Sequence, residues 1–137
     1  MAFKPTKAQQ AAIETTDKSI VLNAGAGSGK TRVLVQRYLH LLSEGLAQVD
    51  QILAITFTNK AAGEMKERIM EEVFKQVDSS SSPEELTFWK DIKENLNQAR
   101  ISTFHGFCGQ LLREYPIEAG IDPYFQTLDQ VQSDELL

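Results

Sequence analysis

The residues best equipped for chemistry run from Ala24 to Thr31, in the order AGAGSGKT. Gly25, Gly27 and Gly29 can adopt positive φ and let the backbone close around an anion. The loop N–H groups then form a concave nest, and a helix starting behind them adds its positive end. Lys30 would reach the β- and γ-phosphates of a nucleotide, and the Thr31 hydroxyl would bind Mg²⁺. Lys30 and Thr31 are therefore the catalytic candidates, and ATP with Mg²⁺ the expected cofactors. Ala24, Gly25, Ala26, Gly27, Ser28, Gly29, Lys30 and Thr31 make up the expected nucleotide cradle. The strict phosphate-loop pattern has glycine where Ala24 stands, a position alanine fills with a negative φ. A dinucleotide loop is excluded, because its third glycine would fall on Lys30.

Such a loop needs a strand before it and a helix after it. Ser19-Ile20-Val21-Leu22-Asn23 reads as the buried strand. A helix from Lys30 carries Leu34, Tyr38, Leu41 and Leu42 at helical spacing and stops at Gly45. Arg32 lies near any bound nucleotide. Upstream, Thr6 is a good N-cap for a helix over Lys7–Ile13, where Gln9 and Ile13 share a face. Gln9 offers both a donor and an acceptor, as an adenine edge requires.

Two further strand-to-helix junctions follow. Gln51 to Phe57 is apolar on both faces, which suits a parallel sheet covered by helices on both sides. It runs into Thr58-Asn59-Lys60 and a helix whose inward stripe is Ala62, Met65, Ile69, Val73 and Val77. Residues 79–82 are all serine and read as a flexible surface loop. Ser82, Pro83 and Glu85 then open a helix with Leu86, Trp89, Ile92, Leu96 and Ala99 inward. Arg100 to Phe104 is a third strand. His105 starts a helix with Phe107, Cys108, Leu111, Leu112 and Tyr115 on one side, ended by Pro116 and Gly120. Asp122-Pro123 is a turn signal.

Functional groups in parallel sheets gather at the carboxyl ends of strands. Both later junctions put small hydroxyls, an amide or imidazole, and an aromatic there. Such groups bind phosphodiester oxygens without reading sequence, and an aromatic can stack a base. Single-stranded nucleic acid is the expected partner. The net charge of −5 places that contact in a local site rather than in overall charge. With 137 residues and 42% apolar content the chain amounts to one domain or part of one. The single Cys108 allows no internal disulfide and suits a reducing cytoplasm, and no stretch reaches membrane-spanning length.

AGAGSGKT, ILAITFTNKAAGEMKERI and ISTFHGFCGQLLREY closely resemble the early motifs of UvrD/Rep-type superfamily 1 DNA helicases, in the same order. The Thr6–Gln9–Ile13 start resembles that family's Q motif, and LLREYPIEAGIDPYFQTLD is more similar to the AddA/RecB helicase–nuclease branch. The resemblance covers nearly the whole chain. It implies an α/β fold, the first part of a RecA-like P-loop NTPase domain across 1–137, with a short parallel sheet flanked by helices. It implies the ATP-binding portion of an ATP-dependent helicase that moves 3′ to 5′ on single-stranded DNA in repair or recombination, cytoplasmic and without membrane contact. A second helicase–nuclease subunit is an implied partner. Gln9 would read adenine and Arg32 would lie against the nucleotide. Phe57, Thr58, Asn59 and Lys60 would line the DNA track, with Thr103, Phe104 and His105 continuing it. The family's Walker B acids, coupling glutamine and arginine fingers find no match here, so the chain reads as an N-terminal fragment without ATPase activity of its own. A small P-loop kinase and a stand-alone nucleotide- or DNA-binding module are the rival readings.

Overall fold

A computed structural model describes residues 4–23, 25 and 27–128. The element order is α1 (Lys7–Glu14), α2 (Lys30–Ser43), β1 (Leu53–Thr56), α3 (Asn59–Ser79), α4 (Pro83–Asn95), β2 (Arg100–Thr103), α5 (Phe104–Glu114) and α6 (Pro116–Ala119). Short 3₁₀ turns at Val49–Gln51 and Leu96–Gln98 lead into the two strands. β1 and β2 run parallel, in a register that pairs Leu53 with Arg100 and Thr56 with Thr103. Their connection contains α3 and α4, the crossover that parallel pairing demands. The fold is α/β with a short parallel sheet and helices, as the sequence implies.

Polar caps fix where the helices begin. The side chains of Thr6, Thr58, Ser82 and Thr103 accept from Gln9 N, Ala61 N, Glu85 N and Gly106 N. Each supplies a partner for one of the four N–H groups a helix start leaves unmatched. α5 accordingly begins at Phe104, one residue earlier than its pattern suggests. Ser79 ends α3 instead of opening the serine loop, and its hydroxyl donates to Lys75 O at 2.7 Å.

The main core is built by the predicted stripe of α3. Met65, Ile69 and Val73 pack with Val35, Tyr38, Leu39 and Leu42 of α2 and with Trp89, Ile92 and Leu96 of the α4 region. Ala54 and Ile101, paired across the strands, lie against this cluster. Trp89 is thus a packing anchor, 6% exposed. A smaller cluster joins Ala12 and Ile13 of α1 to Val33 of α2.

Four sequence expectations need correction. Ser19–Asn23 is not a strand: it pairs with neither β1 nor β2. It keeps only the alternation of one, with Val21 97% exposed between Ile20 and Leu22 at 37% each. An apolar run becomes a strand only where a neighbour completes its ladder. Leu34 is half exposed, because α2 divides its apolar arc between two clusters, through Val33 on one side and Val35, Tyr38 and Leu39 on the other. The apolar side of α5 is not a core face. The helix rests against the strands and α6. Gly109 is buried and Phe107 half-buried, while Cys108, Leu111, Leu112 and Tyr115 stay exposed. The expected double-sided burial of the sheet is likewise incomplete, since Leu53 is exposed on the face away from Ala54.

Candidate nucleotide and nucleic-acid sites

The glycine-rich loop enters α2 through Gly29, whose φ of 83° is left-handed and makes it the N-cap. Gly27 is also left-handed, at 76°. These two glycines hold conformations that cost an L-residue roughly 1–2 kcal/mol. Ser28 closes the turn, donating from N and Oγ to Gly25 O at 3.3 and 2.7 Å. Lys30 curls back, with Nζ donating to the same carbonyl at 3.2 Å. Thr31 follows in the first turn of α2, partly buried, and Arg32 is exposed. Ala24 and Ala26 lie outside the described residues.

Gln9 is held at both ends of its amide. Its Oε1 accepts from Thr6 N at 2.8 Å, completing a capping box. Its Nε2 donates to Ser28 O at 3.1 Å, which ties α1 to the glycine loop. The residue expected to read adenine is therefore next to the loop expected to hold phosphates. Each end of the amide has one further hydrogen-bonding position, the second Nε2 hydrogen and the second Oε1 lone pair, that a base edge could take.

The other two junctions meet at the carboxyl ends of β1 and β2, which the parallel register brings level at Thr56 and Thr103. Phe57 projects there, 97% exposed, and Phe104 is 64% exposed. Large apolar side chains that open to water are the informative ones. Thr103 Oγ1 donates to Asn59 Oδ1 at 3.5 Å and so links the two junctions. Thr56 Oγ1 donates to Thr58 O at 3.0 Å, which fixes the bend between β1 and α3. Lys60 and His105 are exposed in the first turns of α3 and α5. A Cβ on Gly106 would stand 3.3 Å from Thr103 Oγ1, so this turn is packed against its own cap. Phe57, Thr58, Asn59, Lys60, Thr103, Phe104 and His105 thus share one edge. The Thr58 and Thr103 oxygens already accept from helix N–H groups there, a use the sequence reading did not assign them.

Arg37 was not anticipated as functional. Its Nη1 donates to Ala12 O at 2.7 Å, Ile13 O at 3.3 Å and Thr15 O at 2.7 Å. Its placement seven residues after Lys30 on α2 was the available signal, since that spacing returns to the same face. Among the described residues no three His, Cys, Asp or Glu side chains are grouped to hold a metal ion. No helix of the described residues is long and apolar enough to cross a membrane.

The sequence pattern of the family described as UvrD/REP helicase N-terminal domain matches residues 5–137. The chain is 44% identical over 128 residues to an ATP-dependent helicase/nuclease subunit from Ligilactobacillus salivarius, covering 93% of this chain and 10% of that protein. It is 40% identical over 135 residues to the protein of the same name from Desulforamulus reducens, covering 97% and 11%. With that of Pediococcus pentosaceus it shares 39% over 131 residues, covering 96% and 10%. The chain spans about a tenth of the length of these curated relatives.

Proposed function

The chain belongs to the UvrD/REP helicase N-terminal domain family, and we propose that it is the nucleotide-binding start of an ATP-driven DNA helicase of the helicase–nuclease kind. The observation that carries this reading is the left-handed Gly29 cap with Lys30 and Thr31 in the first turn behind it. The fit to Mg·ATP rests on the donor set. Backbone N–H groups of Gly27 and of Gly29 to Thr31 would face the phosphates, Lys30 would exchange Gly25 O for β- and γ-phosphate oxygens, and the Thr31 hydroxyl would take one Mg²⁺ position. Bound metal would neutralise charge building on the phosphates. Gln9 would present its amide to the adenine edge, and Arg32 would lie along the nucleotide.

The edge formed by Phe57, Thr58, Asn59, Lys60, Thr103, Phe104 and His105 would carry single-stranded DNA. Phe57 stacks a base, Lys60 and His105 approach phosphates, the Thr58 hydroxyl donates to a phosphate oxygen while its lone pair caps α3, and Thr103 would do the same at α5 on exchanging Asn59 Oδ1 for phosphate. Movement 3′ to 5′, cytoplasmic location and pairing with a second helicase–nuclease protein belong to the same proposal. So does the RecA-like assignment, with 1–137 as the first part of the motor domain. Family membership favours it over a small P-loop kinase.

On this reading the chain binds Mg·ATP weakly and does not turn it over. The attacking water still needs a positioned acid or amide, and the γ-phosphate an arginine worth 10³–10⁵ in rate, on the order of 4–7 kcal/mol. Calorimetric titration with Mg·ATP tests the cradle. Lys30→Ala removes the cation at the phosphates and should abolish the heat, whereas equal affinity in wild type and variant would refute the phosphate role of Lys30.

A further inference from the structure

Nucleotide selectivity requires two elements to be held in register: α1, which carries Gln9, and α2, which carries Lys30 and Thr31. The Gln9–Ser28 hydrogen bond ties the start of α1 to the glycine loop, and the apolar cluster of Ala12, Ile13 and Val33 packs its last turn against α2. Neither supplies a donor to the last carbonyls of α1. That end points its last carbonyls, with the negative end of the helix dipole, toward α2. Arg37 meets them. One guanidinium nitrogen donates to Ala12 O, Ile13 O and Thr15 O, at 2.7, 3.3 and 2.7 Å. The same side chain lines a cavity of about 340 Å³ with Ala12, Ile20, Leu22, Lys30 and Val33. Lys30, Val33 and Arg37 thus form one face of α2 along this seam, phosphate candidate at one end and carbonyl clasp at the other.

We propose that Arg37 is a positioning residue for base recognition. By clasping the carboxyl end of α1 it sets the distance between the Gln9 amide and the phosphate cradle. This inference rests on the nucleotide-binding reading above and extends it to a residue that touches neither base nor phosphate. All three bonds come from Nη1, which stands one bond further from the backbone than a lysine Nζ would. Arg37→Lys should therefore keep the charge at the helix end and hold α1 less tightly.

The test is binding of Mg·ATP, Mg·GTP and magnesium tripolyphosphate to the chain and to Arg37→Gln, Arg37→Lys and Arg113→Gln. Arg113 is the control, because it also bonds a backbone carbonyl, Gly109 O at 3.1 Å, away from the seam. Arg37→Gln should lower the preference for ATP over GTP by about fivefold or more, with tripolyphosphate affinity held within about twofold. Arg37→Lys should fall between, and Arg113→Gln should match wild type. An unchanged ATP-to-GTP ratio in Arg37→Gln would overturn the proposal, as would an equal loss of all three ligands, which a purely structural residue would give. If Arg37→Gln melts the whole chain, the ratio in Arg37→Lys decides in the same way. A wild-type chain that binds none of the three ligands would overturn the nucleotide reading itself, a result visible before any variant is made.

Discussion

Ile69→Ala probes how α3 holds the proposed nucleic-acid edge in place. Ile69 is 1% exposed, at the centre of the cluster formed by α2, α3 and α4. The change deletes three carbons, about 2.4 kcal/mol of transfer free energy at ~0.8 kcal/mol for each buried methylene. The void left behind adds to this, and measured substitutions of this kind cost about 2–5 kcal/mol. Val73, 0% exposed one turn away, limits how far the site can collapse, which places the expectation at about 3–4 kcal/mol. Met70→Ala, on the next residue of the helix and 38% exposed, is the matched control and should cost less than about 1 kcal/mol. Urea titration followed by far-ultraviolet circular dichroism measures both, with an unchanged slope showing that only stability moved. Equal costs at the two positions would refute the assigned face of α3. The placement of Thr58, Asn59 and Lys60 at its start would then lose its support.

Phe57→Ala should leave stability within about 0.5 kcal/mol, since the ring is 97% exposed. It should weaken binding of a fluorescent single-stranded oligonucleotide by about 1–3 kcal/mol in anisotropy titrations. Thr103→Ala removes the α5 cap, the bond to Gly106 N at 3.1 Å, and should cost about 1 kcal/mol in the same urea titration, while Thr103→Ser should restore most of it. Burial pushes the Tyr38 hydroxyl, which donates to Val49 O, from 10.0 up to about 12. The folded chain thus holds a proton that the unfolded chain has released between these values. Stability from this group is complete below pH 10 and is lost as pH rises toward 12, a loss that Tyr38→Phe should not show in melts across that range.

The legible parts of the sequence were those where one local signal decides. Hydroxyl caps at Thr6 and Ser82 and the period of Met65, Ile69 and Val73 need no distant partner to be read, and the fold keeps all of them. Ile20-Val21-Leu22 failed as a strand because pairing is a property of two segments, and its composition says nothing of the second. The side of α5 with Leu111, Leu112 and Tyr115 failed as a core face for a related reason: periodicity marks an apolar face without supplying what covers it. At the candidate sites, the residue types of the glycine loop and of both strand ends were readable from spacing. The Gln9–Ser28 bond and the Arg37 clasp were not, because both join α1 to the segment beginning α2 across a gap in sequence.

In the proposed function, nucleotide phosphates sit on the loop leading into α2, with adenine at Gln9. Titration of Mg·ADP into the ¹⁵N-labelled chain, followed by amide resonance shifts, tests it most directly. The largest shifts should fall at the backbone amides of Gly27 to Arg32 and at the Gln9 side-chain amide, with Lys30→Ala removing them. Shifts centred instead on the cleft lined by Gln48, Asp50, Asp91 and Gln98, or none at saturating nucleotide, would contradict it.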